Sequence, residues 1–175
     1  MLVVAGDLSV SLLSGRETNL KHASLCGVVA PRADFSGVQM ACCNLSKAVL
    51  RQAKLVGANL SGSVMSECNL SEAKMQGAKF NKATIKGADM TSSDMPKCDM
   101  SGADLSDTNM SKTSMVGSNF SGSVLSGCNM SEAKMKGAKF NKAIVKGADM
   151  TSSDLSGCDM SGADLTGNTG TTISN

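Results

Sequence analysis

The chain has 175 residues, 41% of them apolar, enough for one domain, yet it holds no Trp, no Tyr and only four Phe. Its 17 Lys and Arg stand against 15 Asp and Glu. That near-neutral balance argues against a nucleic-acid binder, which wants a basic stripe with stacking aromatics, and against an acidic surface that imitates nucleic acid. No apolar run approaches the roughly twenty residues of a membrane span, and the opening Met1-Leu2-Val3-Val4-Ala5 is too short for the apolar region of a secretory signal.

In chain order, residues 1–15 come first. Leu8 and Leu13 keep a spacing of five but in a register of their own, so an irregular N-terminal cap is expected. From Leu20 to Leu165 almost every fifth residue is large and apolar, and two residues before it sits a small one, as in Ala48, Ala53, Ala58 and Ser63. A period of five fits neither the 3.6 of a helix nor the 2 of a strand, and it marks a solenoid. Each unit buries one large and one small side chain. If it turns the chain through about a right angle, four units make a coil of about twenty residues, stacked on the next at about 4.8 Å. Residues 16–167 give room for seven to eight such coils. Val28-Val29-Ala30-Pro31-Arg32 breaks the columns, and Pro31 lacks a ladder donor, so a bulge or loop is expected there. Gly57, Gly62, Gly77 and Gly87 follow the large position by two, where a corner can need positive φ, whereas Lys82, Lys112 and Lys142 in the same slot imply that some corners do not. Residues 61–105 recur as 121–165, an in-register duplication offset by sixty residues, or three coils. Residues 168–175 carry no apolar pattern and read as a C-terminal tail.

The units Gly102-Ala103-Asp104-Leu105-Ser106, Gly57-Ala58-Asn59-Leu60-Ser61 and Gly87-Ala88-Asp89-Met90-Thr91 resemble the consensus of the pentapeptide-repeat family. The resemblance implies an all-β fold, a right-handed quadrilateral parallel β-helix. It also implies a protein that binds others, since some members resemble B-form DNA and bind type II topoisomerases, and eukaryotic relatives can carry such rods in adaptors or cytoskeletal assemblies.

Candidate chemistry is sparse. Cys43, Cys68, Cys98, Cys128 and Cys158 occupy the small inward slot and read as core. Cys68 and Cys128 share a corner column but lie three coils, about 14 Å, apart, beyond the roughly 7 Å that a disulfide can bridge. Cys26 and Cys42 face outward as free thiols, which points to the cytoplasm or another reducing intracellular compartment. Every Met except Met1 falls on a multiple of five and reads as packing. His22 is the single histidine, in an outward slot with no nucleophile to activate. A convex filled prism has no natural pocket, so no catalytic, cofactor-binding or metal-ligating residue is assigned and no cofactor or small-molecule substrate is expected. Lys74 and Asp94, Lys79 and Asp99, Lys134 and Asp154, and Lys139 and Asp159 stand twenty apart and are expected to pair between coils.

One outward column is unusually apolar: Val64, Thr84, Val124 and Ile144, interrupted by Asp104. These four residues are the candidate partner-binding face, for another protein or for self-association along one wall. The reading is a non-enzymatic scaffold, a rigid rod binding proteins through repeated side walls, with no nucleic-acid or membrane partner. The alternatives are a topoisomerase-interacting DNA mimic, which the charge opposes, and a soft-metal binder built on the methionine columns.

Overall fold

A computed structural model describes residues 19–170. The expected cap, residues 1–15, lies outside the described residues, and so does most of the tail. Isolated parallel bridges join each outward middle residue to the one twenty positions on, from Asn19–Gln39 through Asp89–Asn109 to Asp149–Thr169. One bridge falls every five residues, so each coil has four flat walls, and the chain is a right-handed quadrilateral parallel β-helix of about seven and a half described coils.

The five-residue unit follows from what each slot can bury. Side chains alternate across a strand, so the residues flanking each bridged position point inward together. Phe80, Met90, Met110 and Leu125 fill the large slot with no exposed surface, and Ala78, Ala88 and Ser123 fill the small one equally buried. Phe120 and Phe140, one coil apart in one column, stack with ring centroids 4.9 Å apart and planes 5° from parallel. Three ladder bonds between successive coils repeat around the rod. Leu25 N–H donates to Asn44 C=O at 2.7 Å, Asn44 N–H to Ala23 C=O at 3.0 Å, and Gly27 N–H to Ser46 C=O at 2.8 Å.

Each corner is a four-residue turn, closed for instance by Ala78 N–H donating to Met75 C=O at 2.9 Å. Its second corner residue has positive φ at all thirty positions from His22 to Gly167. The expectation that lysine corners differ from glycine corners is therefore corrected. Lys82, Lys112 and Lys142 adopt φ of 58°, 59° and 56°, like Gly87 at 66°. The left-handed conformation costs a side chain only about 1–2 kcal/mol, and the ladder bonds made at each corner hold it there.

Val28–Arg32 is also corrected. No bulge or loop forms: Val29 bridges Val49, Ala30 N–H donates to Val49 C=O at 2.9 Å, and Arg32 N–H to Arg51 C=O at 2.8 Å. Two compensations explain it. Val28 in the small slot and Ala30 in the large slot exchange volumes, and both are buried. Pro31 takes the first corner position, whose N–H makes no backbone bond anywhere in the described coils, and its fixed φ suits that place in a turn. Pro96 occupies the same slot.

Candidate functional site

The interior is built to be inert. The inward thiols donate to carbonyls of the preceding coil, Cys98 Sγ to Met75 C=O at 2.9 Å and Cys128 Sγ to Leu105 C=O at 2.9 Å. Burial pushes the Cys68, Cys98 and Cys128 thiols up to about 12, far from the thiolate that reacts or binds metal. Thr108 and Thr113 hydroxyls use the same kind of acceptor, the carbonyls of Ile85 and Met90. Among the described residues no three His, Cys, Asp or Glu side chains gather where a metal ion could sit. His22 and Cys42 share one exposed corner column on successive coils, without a third ligand.

The surface divides into walls. We number them by their middle residues: wall 1 runs Ser24, Asn44, Val64 and on by twenties to Asp164, wall 2 from Val29 to Thr169, wall 3 from Asp34 to Asp154 and wall 4 from Asn19 to Asp159. At fifteen of these positions an Asn or Asp does a structural task. Its side-chain oxygen accepts the N–H of the first corner residue, as Asn69 Oδ1 does from Ser71 N at 3.0 Å and Asp104 Oδ1 from Ser106 N at 3.0 Å. Val29 needs no such group, since Pro31 two residues on has no N–H to satisfy.

Wall 1 gathers the four candidate residues. Val64 bridges Thr84, Thr84 bridges Asp104, Asp104 bridges Val124, and Val124 bridges Ile144. Val64 and Ile144 are 41% and 42% exposed, while Thr84 and Val124 are half-buried. Lysines stand on both edges of two of these coils, Lys82 and Lys86 beside Thr84, Lys142 and Lys146 beside Ile144. Lys146 Nζ reaches Asp164 Oδ2 at 3.1 Å. Between the lysine coils lies an acidic one with Asp104 and Asp107. Burial acts to raise the Asp104 carboxyl, but two hydrogen bonds from Ser106 and the nearby Lys86 outweigh it and the net shift is downward.

The expected inter-coil pairs of Lys74, Lys79, Lys134 and Lys139 are bridged through their backbones to Asp94, Asp99, Asp154 and Asp159, but none closes within 4.0 Å. The ion pairs formed among the described residues are Lys47–Glu67, Arg51–Glu72, Lys54–Asp34, Lys112–Glu132 and Lys146–Asp164. Asp99, Asp154 and Asp159 instead hold their own corners through Ser101, Ser156 and Ser161.

Sequence reasoning missed two exposed valines. Val56 and Val116, 41% and 39% exposed, occupy one column on the edge between walls 3 and 4. The signal was present: Val56-Gly57 and Val116-Gly117 stand sixty apart, so the duplication can be followed upstream of residue 61.

No curated protein matches the chain. Among solved structures it is similar to HetL, a pentapeptide repeat protein involved in heterocyst differentiation regulation in the cyanobacterium Nostoc sp. strain PCC 7120, at 24% identity and TM-score 0.45, covering 97% of this chain and 88% of that one. It is also similar to QnrB1, a plasmid-mediated fluoroquinolone resistance protein, at 18% identity and TM-score 0.42 over 95% of this chain and 88% of the other. A pentapeptide repeat protein from the Arabidopsis thaliana thylakoid lumen matches at 21% identity and TM-score 0.37, over 85% and 74%. The family model for pentapeptide repeats matches residues 43–81, 85–122, 98–141 and 128–167 in eight copies. With more than half of its length so matched and a bridge every fifth residue, the chain belongs to the pentapeptide repeat family.

Proposed function

We propose that the protein is a non-enzymatic scaffold, a rigid rod that docks proteins through wall 1 at Val64, Thr84, Val124 and Ile144. The observation that carries this reading is the contrast between inside and outside. Inward side chains from Leu20 to Met150 are buried and the Cys68, Cys98 and Cys128 thiols among them are held protonated, which leaves that interior to packing, while wall 1 presents branched apolar groups to solvent in a column where other coils carry Ser, Asn or Asp. The duplication supports it as well, since it sets Val64 and Thr84 on wall 1 and repeats that pair three coils on as Val124 and Ile144.

Imitation of DNA fits poorly. That role calls for a continuous negative wall, and each wall here with its edges mixes basic residues among its carboxylates, while the middle column of wall 2 holds only two carboxylates, Asp89 and Asp149, among uncharged Val, Asn and Thr. No helix among the described residues is long and apolar enough to cross a membrane.

The double substitution Val124→Asp and Ile144→Asp tests the docking wall. Both residues point outward, so circular dichroism and the melting temperature should stay near wild type, whereas proteins captured by the wild-type rod and identified by mass spectrometry should be lost. Capture that is indifferent to both aspartates removes wall 1 as the docking site.

A further inference from the structure

We infer that wall 1 seats a second copy of this chain, laid antiparallel on the first; this rests on the docking role of wall 1 and names its occupant. The register comes from overlap alone. A two-fold axis lying in wall 1, perpendicular to the rod and passing between the Thr84 and Asp104 coils, superposes the full described length of the wall, from Ser24 to Asp164. It sets Val64 of each copy opposite Val124 of the other and Thr84 opposite Asp104. It also lays each edge over the same edge of the second copy. The Lys86 corner therefore meets the Ser106–Asp107 corner, Lys82 comes beside Asp104, and Lys21 lies near Asp164.

An axis chosen for overlap thus brings a valine onto a valine and the lysine coil onto the acidic coil, the complementarity that selects a partner. The other walls fail this test. Full overlap of wall 3 sets Lys54 on Lys134 and Asp34 on Asp154, and that of wall 2 sets Val49 on Asp149. Wall 4 has no exposed apolar middle residue. One like-charge approach remains on wall 1, Lys47 toward Lys146, but the first is paired with Glu67 at 3.8 Å and the second with Asp164 at 3.1 Å.

The wall is about 38 Å long at the spacing of β backbones and about 10 Å wide for three extended residues. With edge side chains the two copies together bury on the order of 1,000 Å², the lower limit for a specific interface. The dimer is therefore reversible and concentration-dependent.

Sedimentation equilibrium of the full chain between 1 μM and 1 mM is the experiment. The apparent mass should climb from 17.9 kDa toward twice that value. Lys86→Glu and Asp107→Lys should each weaken dimerisation about five-fold or more, and the charge-swapped double variant should return to within about two-fold of wild type. Melting curves confirm that the variants fold. A protein still monomeric at 1 mM overturns the second copy as occupant but leaves the docking wall standing if capture of another protein still depends on Val124 and Ile144. A dimer indifferent to both single charge reversals, or a swap as weak as the singles combined, overturns the register. A dimer that survives Val124→Asp with Ile144→Asp removes wall 1 itself.

Discussion

At the scale of single residues, the second corner slot decides most. Half of the thirty corners place a residue with a side chain at positive φ, Ser92 at 56° among them. Ser92→Gly should relieve about 1–2 kcal/mol of backbone strain against the 0.4–1 kcal/mol that glycine adds in unfolded-state freedom. A net gain of about 0.5–1 kcal/mol follows, visible as a rise of about 2 °C in melting temperature. The reverse change, Gly87→Ala, should cost a similar amount through the backbone alone, because a Cβ there meets nothing nearer than Glu67 Cγ at 3.9 Å. The glycine spacing made the corners legible, but the sequence does not show that lysine and glycine corners share one conformation. Host ladder bonds, which no residue type announces, impose it on both.

The thiols belong to this scale too. Cys26 and Cys42 are exposed, whereas Cys43, Cys68, Cys98 and Cys128 are buried and Cys158 lies between. Ellman's reagent on the folded protein should react promptly with two thiols, slowly with Cys158, and with the remaining four only after denaturant is added. Prompt reaction of Cys98 or Cys128 would contradict the packed interior. Inward and outward cysteines could be told apart from register alone, because a period of five leaves each slot only one side of the wall.

At the scale of the coil, the outward Asn or Asp is a fastener. The first corner N–H has no backbone acceptor, and Asp159 and Asp164 accept it through a carboxylate oxygen that also accepts the Ser161 or Thr166 hydroxyl. The hydroxyl bond of Ser161, with those of Asn141 and the Ser161 N–H, holds Asp159 down to about 2, and the Thr166 bonds with Lys146 do the same for Asp164. Both folded values lie below the ordinary value of 3.8, so their stabilisation is present above about pH 4 and is lost as pH falls through about 2. Urea midpoints should therefore drop between pH 5.5 and pH 2, and drop less in Asp159→Asn with Asp164→Asn, where the amide oxygen still accepts the corner N–H without titrating. An equal drop in the variant would assign acid sensitivity elsewhere. The repeat consensus reveals that Asn or Asp belongs at this position but not why, since its donor is a backbone group two residues on. The lysine and aspartate columns read as ion pairs from their spacing alone, yet Asp99, Asp154 and Asp159 hold their own corners and their lysines stay apart.

At the scale of the whole molecule, architecture was legible because one constraint repeats thirty times. Any single unit could be read ambiguously, yet a column of large residues at every fifth position admits only one interior. Where local exceptions occur, the rod overrules them. Pro31 and the exchanged volumes of Val28 and Ala30 look like a break, yet they are absorbed because a proline at a donor-free corner and a conserved sum of side-chain volume both satisfy the coil. Surface function was harder to read. A wall is assembled from residues twenty apart, so the apolar column of wall 1 could be found only by sorting positions by coil, and the Val56 and Val116 column was overlooked because it lies on an edge.

The hydrogen bonds of this ladder point along the rod, each tying a residue to the coil directly above or below it. Tension applied at the two chain ends therefore loads them a few at a time, as a zipper is loaded, instead of shearing a whole strand at once. Such a molecule would yield gradually, surrendering a loop of slack with each coil peeled from an end while the remainder keeps its form, the mechanical behaviour of an extensible spacer.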